Sequence, residues 1–200
     1  MKKQLTLLCG VLLGTAAMAQ NALENDERNL ALEHLRATHA ELVSTVKSLS
    51  EDQLSFKPSE DVWSIAECVT HLAKAEAGIW QQLQASLTAA PDPAGRSGIE
   101  VSDEQILTSV PKRDRKVSTI PPLVPNQSDE MLESLKAFET VRSRHIDFLE
   151  NTKEDLRNRY YQSPYGKADV YQMLLFLATH TERHIHQINE VKGTAGFPNS

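Results

Sequence analysis

Cysteine, basic charge and long apolar runs are all scarce in this 200-residue chain, and each shortage excludes something. Of the two cysteines, Cys9 lies in an N-terminal apolar run that reads as a leader. Once that leader is gone only Cys68 remains, so no internal disulfide can cross-link the fold, even in an oxidising compartment. Basic side chains number 21 against 27 acidic ones; without Lys2 and Lys3 the balance is 19 to 27, a net charge of −8. Binding phosphates needs clustered Lys and Arg, so this balance argues against nucleic acid or an anionic membrane surface as a partner. Beyond the leader no apolar stretch approaches the roughly 20 residues of a membrane-spanning helix, so no membrane anchor is expected. Internal repeats, low-complexity tracts and convincing strand alternation are also missing.

The leader has three parts. Lys2 and Lys3 give a short positive region, Leu5 to Ala16 an apolar one, and Ala17-Met18-Ala19 an A-x-A cleavage site. Leu8 stands before Cys9 where a lipoprotein signal wants a small residue, which leaves ordinary secretion. The expectation is a signal peptide over 1–19 and an exported, periplasmic or secreted, mature chain over 20–200. At about 180 residues that chain is long enough for one domain with a real core.

Four long segments have helical periodicity. The first, about Ala22 to Leu49, spaces Leu32, Leu35, Leu42, Val46 and Leu49 by three, four or seven. A connection from Ser50 to Asp61 contains Pro58. The second helix opens at Ser64-Ile65-Ala66-Glu67, a capping box, and runs to about Thr88. From Ala89 to Gln127 eight prolines and glycines break the pattern, leaving room only for a short helix over Asp103 to Ser109. Antiparallel neighbours need only a few linking residues, so this stretch reads as a crossover along a bundle. The third helix spans about Ser128 to Asn151. A loop from Tyr160 to Lys167 precedes the fourth, which is capped by Asp169 with Gln172 three residues on and stops at Gly193. The fold class expected is all-α, a four-helix bundle with a long crossover loop between helices two and three.

The chemistry is carried by histidines. His180 and His184 are one turn apart on the stripe Met173, Leu177, Ile188, Val191, which is the core-facing side of helix four. A buried imidazole needs partners for both nitrogens, and an unpaired buried polar group costs about 1–3 kcal/mol. A metal ion removes that cost by taking one nitrogen from each. His71, near the stripe Cys68, Leu72, Ala75, Ile79 of helix two, is the third candidate. Three neutral imidazoles from two facing helices leave one or more positions open, the arrangement of a catalytic rather than a closed structural site. Zinc or nickel suits such a divalent site, and iron or cobalt would accept the same ligands. Residue 181 is Thr181, so the H-E-x-x-H of a metalloprotease helix, with its Glu base, is absent.

Trp63-Ser64-Ile65-Ala66-Glu67, followed by Thr70-His71-Leu72 and Glu76, resembles the second-helix motif of the DinB-like (YfiT-like) metalloenzyme family. His180-Thr181-Glu182-Arg183-His184 with Gln187-Ile188 is similar to that family's last-helix motif. The Ser50 to Pro58 connection and the Pro164-Tyr165-Gly166 turn also fit, so the resemblance covers the mature chain from about Ala22 to Lys192. It implies a four-helix bundle with a long crossover, a divalent metal on a histidine triad falling on His71, His180 and His184, and dimerisation through helix faces to give a homodimer. The crossover is longer than a minimal member of that family requires.

Residues around the triad have simpler readings. Cys68, three before His71, reads as a small buried hydrophobe, with a fourth-ligand role as the alternative. His39 and His145 read as satisfied core histidines that could instead hydrogen-bond a ligand. Trp63 reads as a staple or bundle-end plug, Glu67 as part of the cap, and Glu182 and His186 as solvated. Lys112-Arg113-Asp114-Arg115-Lys116 reads as solvated charge, or as an attractor of acidic substrates. The function expected is a metal-dependent hydrolase or transferase acting on a small molecule, its catalytic side chains and general base unassigned. The alternatives are a non-catalytic metal-binding module and a metal-free helical interaction module in which the three histidines do not converge.

Overall fold

Ser64 and Asp169 start the two helices that matter most for function. Ser64 Oγ accepts from Glu67 N at 3.1 Å while Glu67 Oε2 accepts from Ser64 N at 2.7 Å. Asp169 and Gln172 make the same reciprocal pair at 2.8 and 3.1 Å. Each box satisfies two N–H groups that a helix start leaves without partners, so both helices begin at fixed residues. A computed structural model describes residues 23–114, 116–126, 129–163 and 165–199. The leader expected over 1–19 and the helix start expected at Ser128 lie outside those residues.

The elements are α1 (Asn25–Lys47), α2 (Glu51–Ser55), α3 (Ile65–Leu87), α4 (Asp103–Ser109), α5 (Met131–Asn151), the strands β1 (Tyr160–Ser163) and β2 (Gly166–Asp169), and α6 (Val170–Lys192). α1, α3, α5 and α6 form the bundle. α1 packs on α5 and α6, and α3 packs on the same two, so helices consecutive among the four long ones are not all neighbours. Thr70 meets Ser134 at 3.1 Å and, further towards the C-terminus of both helices, Glu76 meets Arg142 at 3.1 Å, so α3 and α5 run parallel. Parallel helices need a connection that returns the length of the bundle. The long link after Leu87 is therefore a crossover, as its length predicts. Within it lie α4, packed on α6, and two 3-10 turns, Pro93–Gly98 and Pro121–Leu123, the second packed on α3.

Two of the expected connections contain regular structure. The loop expected over Tyr160 to Lys167 lies in a two-stranded antiparallel hairpin in which Tyr160 pairs with Asp169 and Ser163 with Gly166. β1 shows no inside–outside alternation because Tyr160, Tyr161 and Ser163 are all half-buried. Gly166 has φ +109°, and a Cβ there would meet the Glu100 side chain at 2.8 Å, so the turn depends on glycine. The Ser50–Asp61 connection contains the one-turn helix α2, started by a capping box of Ser50 and Gln53. Gly193 caps the end of α6, as expected, with φ −82° and its N–H on the Asn189 carbonyl at 3.0 Å.

The buried apolar side chains form two clusters. One holds Leu35, Leu83, Leu149 and Leu174, and the other Leu42, Leu72, Phe138 and Ile185. Between them every bundle helix contributes to one buried hydrogen-bonded group of Thr38, Glu76, Arg142 and Thr181. The core is a sandwich of two apolar halves around one polar layer. No helix among the described residues is long and apolar enough to cross a membrane.

Candidate metal centre

The ligand atoms of His71, His180 and His184 converge to within 4.8 Å of one another, bringing α3 and α6 together at one point. His180 Nε2 lies 3.3 Å from His71 Nε2 and 3.2 Å from His184 Nε2. His71 and His184 are buried, and His180 is half-buried.

Proton placement decides what these contacts are. His71 Nδ1 lies 2.9 Å from the Leu123 carbonyl, which can only accept, so His71 carries its proton on Nδ1. His184 Nδ1 lies 3.0 Å from Gln187 Oε1, and the same oxygen accepts from Arg113 Nη1 at 3.2 Å. A guanidinium only donates, which fixes the oxygen's place and puts the His184 proton on Nδ1 as well. Both neutral rings therefore aim an Nε2 lone pair at His180 Nε2, which can supply one proton at most. One of the two close contacts is then lone pair against lone pair unless a cation lies among the three nitrogens. Metal–nitrogen bonds of about 2.0–2.1 Å at tetrahedral or octahedral angles put ligand nitrogens about 2.9–3.4 Å apart, which the two measured separations match.

Extra protons are not the answer. Burial, followed by the nearby His71, pushes His180 down to about 3. Burial and the other two rings hold His184 well below the usual imidazole range. Burial also lowers His71, against the opposing pull of the Leu123 carbonyl. All three are neutral at pH 7, the form that ligates metal.

Two aromatic rings wall the cluster. Trp63 packs 4.9 Å from the His71 ring and stacks at 6.2 Å, 18° from parallel, on His184. It is a wall of the site, not merely the bundle-end plug its position suggests. Phe176 stacks on His180 at 5.3 Å and 12°, with Tyr165 beyond it at 6.0 Å. Among the described residues no Cys, Asp or Glu joins the three histidines. Cys68 is fully buried in the apolar cluster and its thiol is pushed up to about 12 by burial, so it behaves as a hydrophobe.

The crossover holds the site from two sides. Leu123 accepts from His71, and Lys74 Nζ pins the next carbonyl, Val124 O, at 2.9 Å while pairing with Asp129 at 2.7 Å. Arg113 is not free charge: it grips Glu190 at 2.8–3.0 Å and Gln187, so it orients the partner of His184. His186 is exposed, as expected, with Nδ1 3.2 Å from the Pro111 carbonyl.

Sequence reasoning missed the buried group beneath the triad. Arg142, fully buried, gives Nε to Glu76 Oε1 at 3.1 Å and a second, shorter bond from Nη2 to the same oxygen. The other Glu76 oxygen faces His145 Nδ1 at 3.1 Å. Burial alone would raise the Glu76 carboxyl, but Arg142 and His145 outweigh it and hold it below the usual range. His145 is remote from the triad, edge-on to Trp80 at 5.1 Å. His39 sits on α1 at 6.0 Å from Phe138 and is not in the cluster.

A family model described as the DinB superfamily matches residues 34–188, a span that runs from α1 to α6 and contains the whole triad. The chain belongs to the DinB superfamily. YuaE of Bacillus subtilis, which has no described function, is 27% identical over 149 residues, 74% of this chain and 88% of its own. A second relative, OB0413 of Oceanobacillus iheyensis, is provisionally named a metal-dependent hydrolase; it is 26% identical over 148 residues, 74% of this chain and 75% of its own. The structure of YfiT from Bacillus subtilis, described as "a probable metal-dependent hydrolase with an unusual four-helix bundle topology", superposes with a TM-score of 0.59 at 17% identity, covering 86% of this chain and 89% of YfiT. That likeness shows the fold, a four-helix bundle.

Proposed function

We propose that this DinB-superfamily protein binds one divalent metal ion on His71, His180 and His184 and uses it to hydrolyse, or transfer a group from, a small molecule. The observation that carries the reading is the pair of Nε2 contacts at 3.2 and 3.3 Å between rings whose protons are committed to Leu123 and Gln187. A metal-free interaction module gives no reason for three lone pairs to meet. The relative from Oceanobacillus iheyensis, by its name, supports hydrolysis over the other chemistries.

An ion at this site, when bound, acts as a Lewis acid that lowers the pKa of water and polarises a substrate oxygen or sulfur. The chain's own residues supply the rest. Leu123 and Gln187 hold the Nδ1 protons of two ligands and so keep both Nε2 lone pairs available. Trp63 and Phe176 cover ring faces and exclude water there, and the half-buried edge of His180 is where substrate and solvent reach the centre. Zinc and nickel are the ions to try first, since imidazole suits both. Export by the leader over 1–19 belongs to the same proposal and is checked by mass spectrometry of the mature N-terminus, expected at Gln20.

Elemental analysis of the purified mature protein is the test, beside His180→Ala. About one equivalent of metal in the first, lost in the second, is expected, followed by turnover of ester, amide or phosphoester substrates by the loaded protein only. No metal in either after reconstitution with zinc and with nickel would sink the reading. Stoichiometric metal with no turnover of any substrate would favour the non-catalytic metal-binding alternative.

A further inference from the structure

We propose that Arg142 is the positioning residue of the metal site, setting the register of α6 against α3 so that the three imidazoles meet. This rests on the reading of the triad as a metal site. Two ligands lie on α6 and one on α3, so the nitrogen separations depend on how far those helices have slid or turned relative to each other. Apolar packing is non-directional and tolerates small slips. Both core clusters are of that kind, and the layer between them is not.

Arg142 stands on α5, in contact with neither substrate nor metal, and ties all four bundle helices through one planar group. It donates to Glu76 of α3, five residues beyond His71. It donates from Nη1 to Leu35 O and Thr38 Oγ1 of α1, both at 3.0 Å. On α6 its Nη2 reaches Thr181 Oγ1 at 2.7 Å and Leu177 O at 3.3 Å. Thr181 is the residue after His180, and its hydroxyl proton goes to Leu177 O at 3.0 Å. The guanidinium fork has fixed geometry, so helix positions that satisfy all these acceptors at once are few. A buried ion pair adds little stability over apolar residues of similar volume, and fixing register is its best-attested role. The pair sits one helical turn or so from ligands on both α3 and α6, where a slip of an ångström takes nitrogens out of bonding range.

The test separates positioning from mere stability. Apo protein is titrated with cobalt(II), whose visible absorption reports ligand geometry, and helix content and thermal midpoint are followed by circular dichroism. The variants are Arg142→Met/Glu76→Leu, which removes both charges together, Thr181→Val, which removes only the closer of the two α6 acceptors, and Thr181→Ser, which restores it. The double variant is expected to stay folded, to lose about ten-fold or more in cobalt affinity, and to show an altered absorption envelope. Thr181→Val is expected to lose about three-fold, with Thr181→Ser recovering it. Should the double variant fail to fold, the Thr181 pair decides the matter alone. Unchanged affinity and spectrum in Thr181→Val, or in a folded double variant, overturns the positioning role while the metal site stands. A wild-type protein that takes up no cobalt overturns both.

Discussion

The carbonyl oxygen of Leu123, deep in the crossover, lies 2.9 Å from Nδ1 of His71, so a backbone group of the longest loop is bonded to a proposed metal ligand. Loading Nε2 with a cation draws charge from the ring, makes the Nδ1–H a stronger donor, and tightens its bond to Leu123. The crossover is therefore expected to loosen when the site is stripped. Lys112 and Lys116 are exposed in that segment and give trypsin its entry. Cleavage there should be several-fold slower in zinc-loaded than in chelator-treated protein, and His71→Ala should be cut fast in both conditions. Equal cleavage rates with and without zinc would refute the coupling.

Trp63 gives an optical handle on the same site. Its ring packs on two of the three ligands, while the other tryptophan, Trp80, lies against His145 in a different part of the core. Copper(II) or nickel(II) quenches an indole at such range, so titration should dim roughly the Trp63 share of the emission and saturate at one equivalent. Trp63→Phe should abolish the quench, and Trp80→Phe should leave it. A quench that survives in Trp63→Phe would place the ion elsewhere.

Much of this was legible in the chain because helix signals are local. The capping boxes at Ser64 and Asp169 and the short helix Asp103–Ser109 fall where the sequence puts them. His71, His180 and His184 could be picked out because spacing and an apolar stripe placed all three inward. The missing parts are those with no local signature. Arg142 looks like any charged helix residue until Glu76, 66 positions away, appears beside it. Leu123 acts through its carbonyl, which every residue has. The strand Tyr160–Ser163 has half-buried side chains on both faces, so it carries no alternation to read. Arg113 reads as solvated charge because its partner, Glu190, is 77 positions on.

Cys68 should be silent in the native state. Burial pushes its thiol from 9.0 up to about 12, which at pH 8 lowers the thiolate fraction about a thousand-fold. A thiol reagent such as dithiobis-nitrobenzoate should leave the folded protein unmodified and label one thiol per mature chain in guanidinium. The raised value also carries a sign for stability: the neutral thiol favours the fold below pH 9, and that contribution fades as pH rises from 9 towards 12. Cys68→Ala should bind metal with unchanged stoichiometry. Rapid labelling of native protein, or metal lost in Cys68→Ala, would return the thiol to the list of ligands.

The buried carboxylate of Glu76 should govern the acid limb of stability. Burial alone would raise it, yet Arg142 and His145 leave its folded value below the ordinary 4.5. A depressed carboxylate stabilises the fold above its unfolded value, and that contribution is lost as pH falls through 4.5 towards the lower folded value. Glu76→Gln leaves Arg142 as a buried charge without its anion, which costs about 3–5 kcal/mol at pH 7. Urea denaturation of wild type and variant across pH 7 to 3 should show that gap at neutral pH. As pH falls below 4.5 the two curves should approach each other, because the unfolded wild-type carboxyl takes up a proton there while the folded one resists it. A gap that stays constant down to pH 3 would mean that Glu76 is not the titrating group, and that acid unfolding begins elsewhere, for example in the Glu27, Asp103 and Asp169 carboxylates gathered around Arg157.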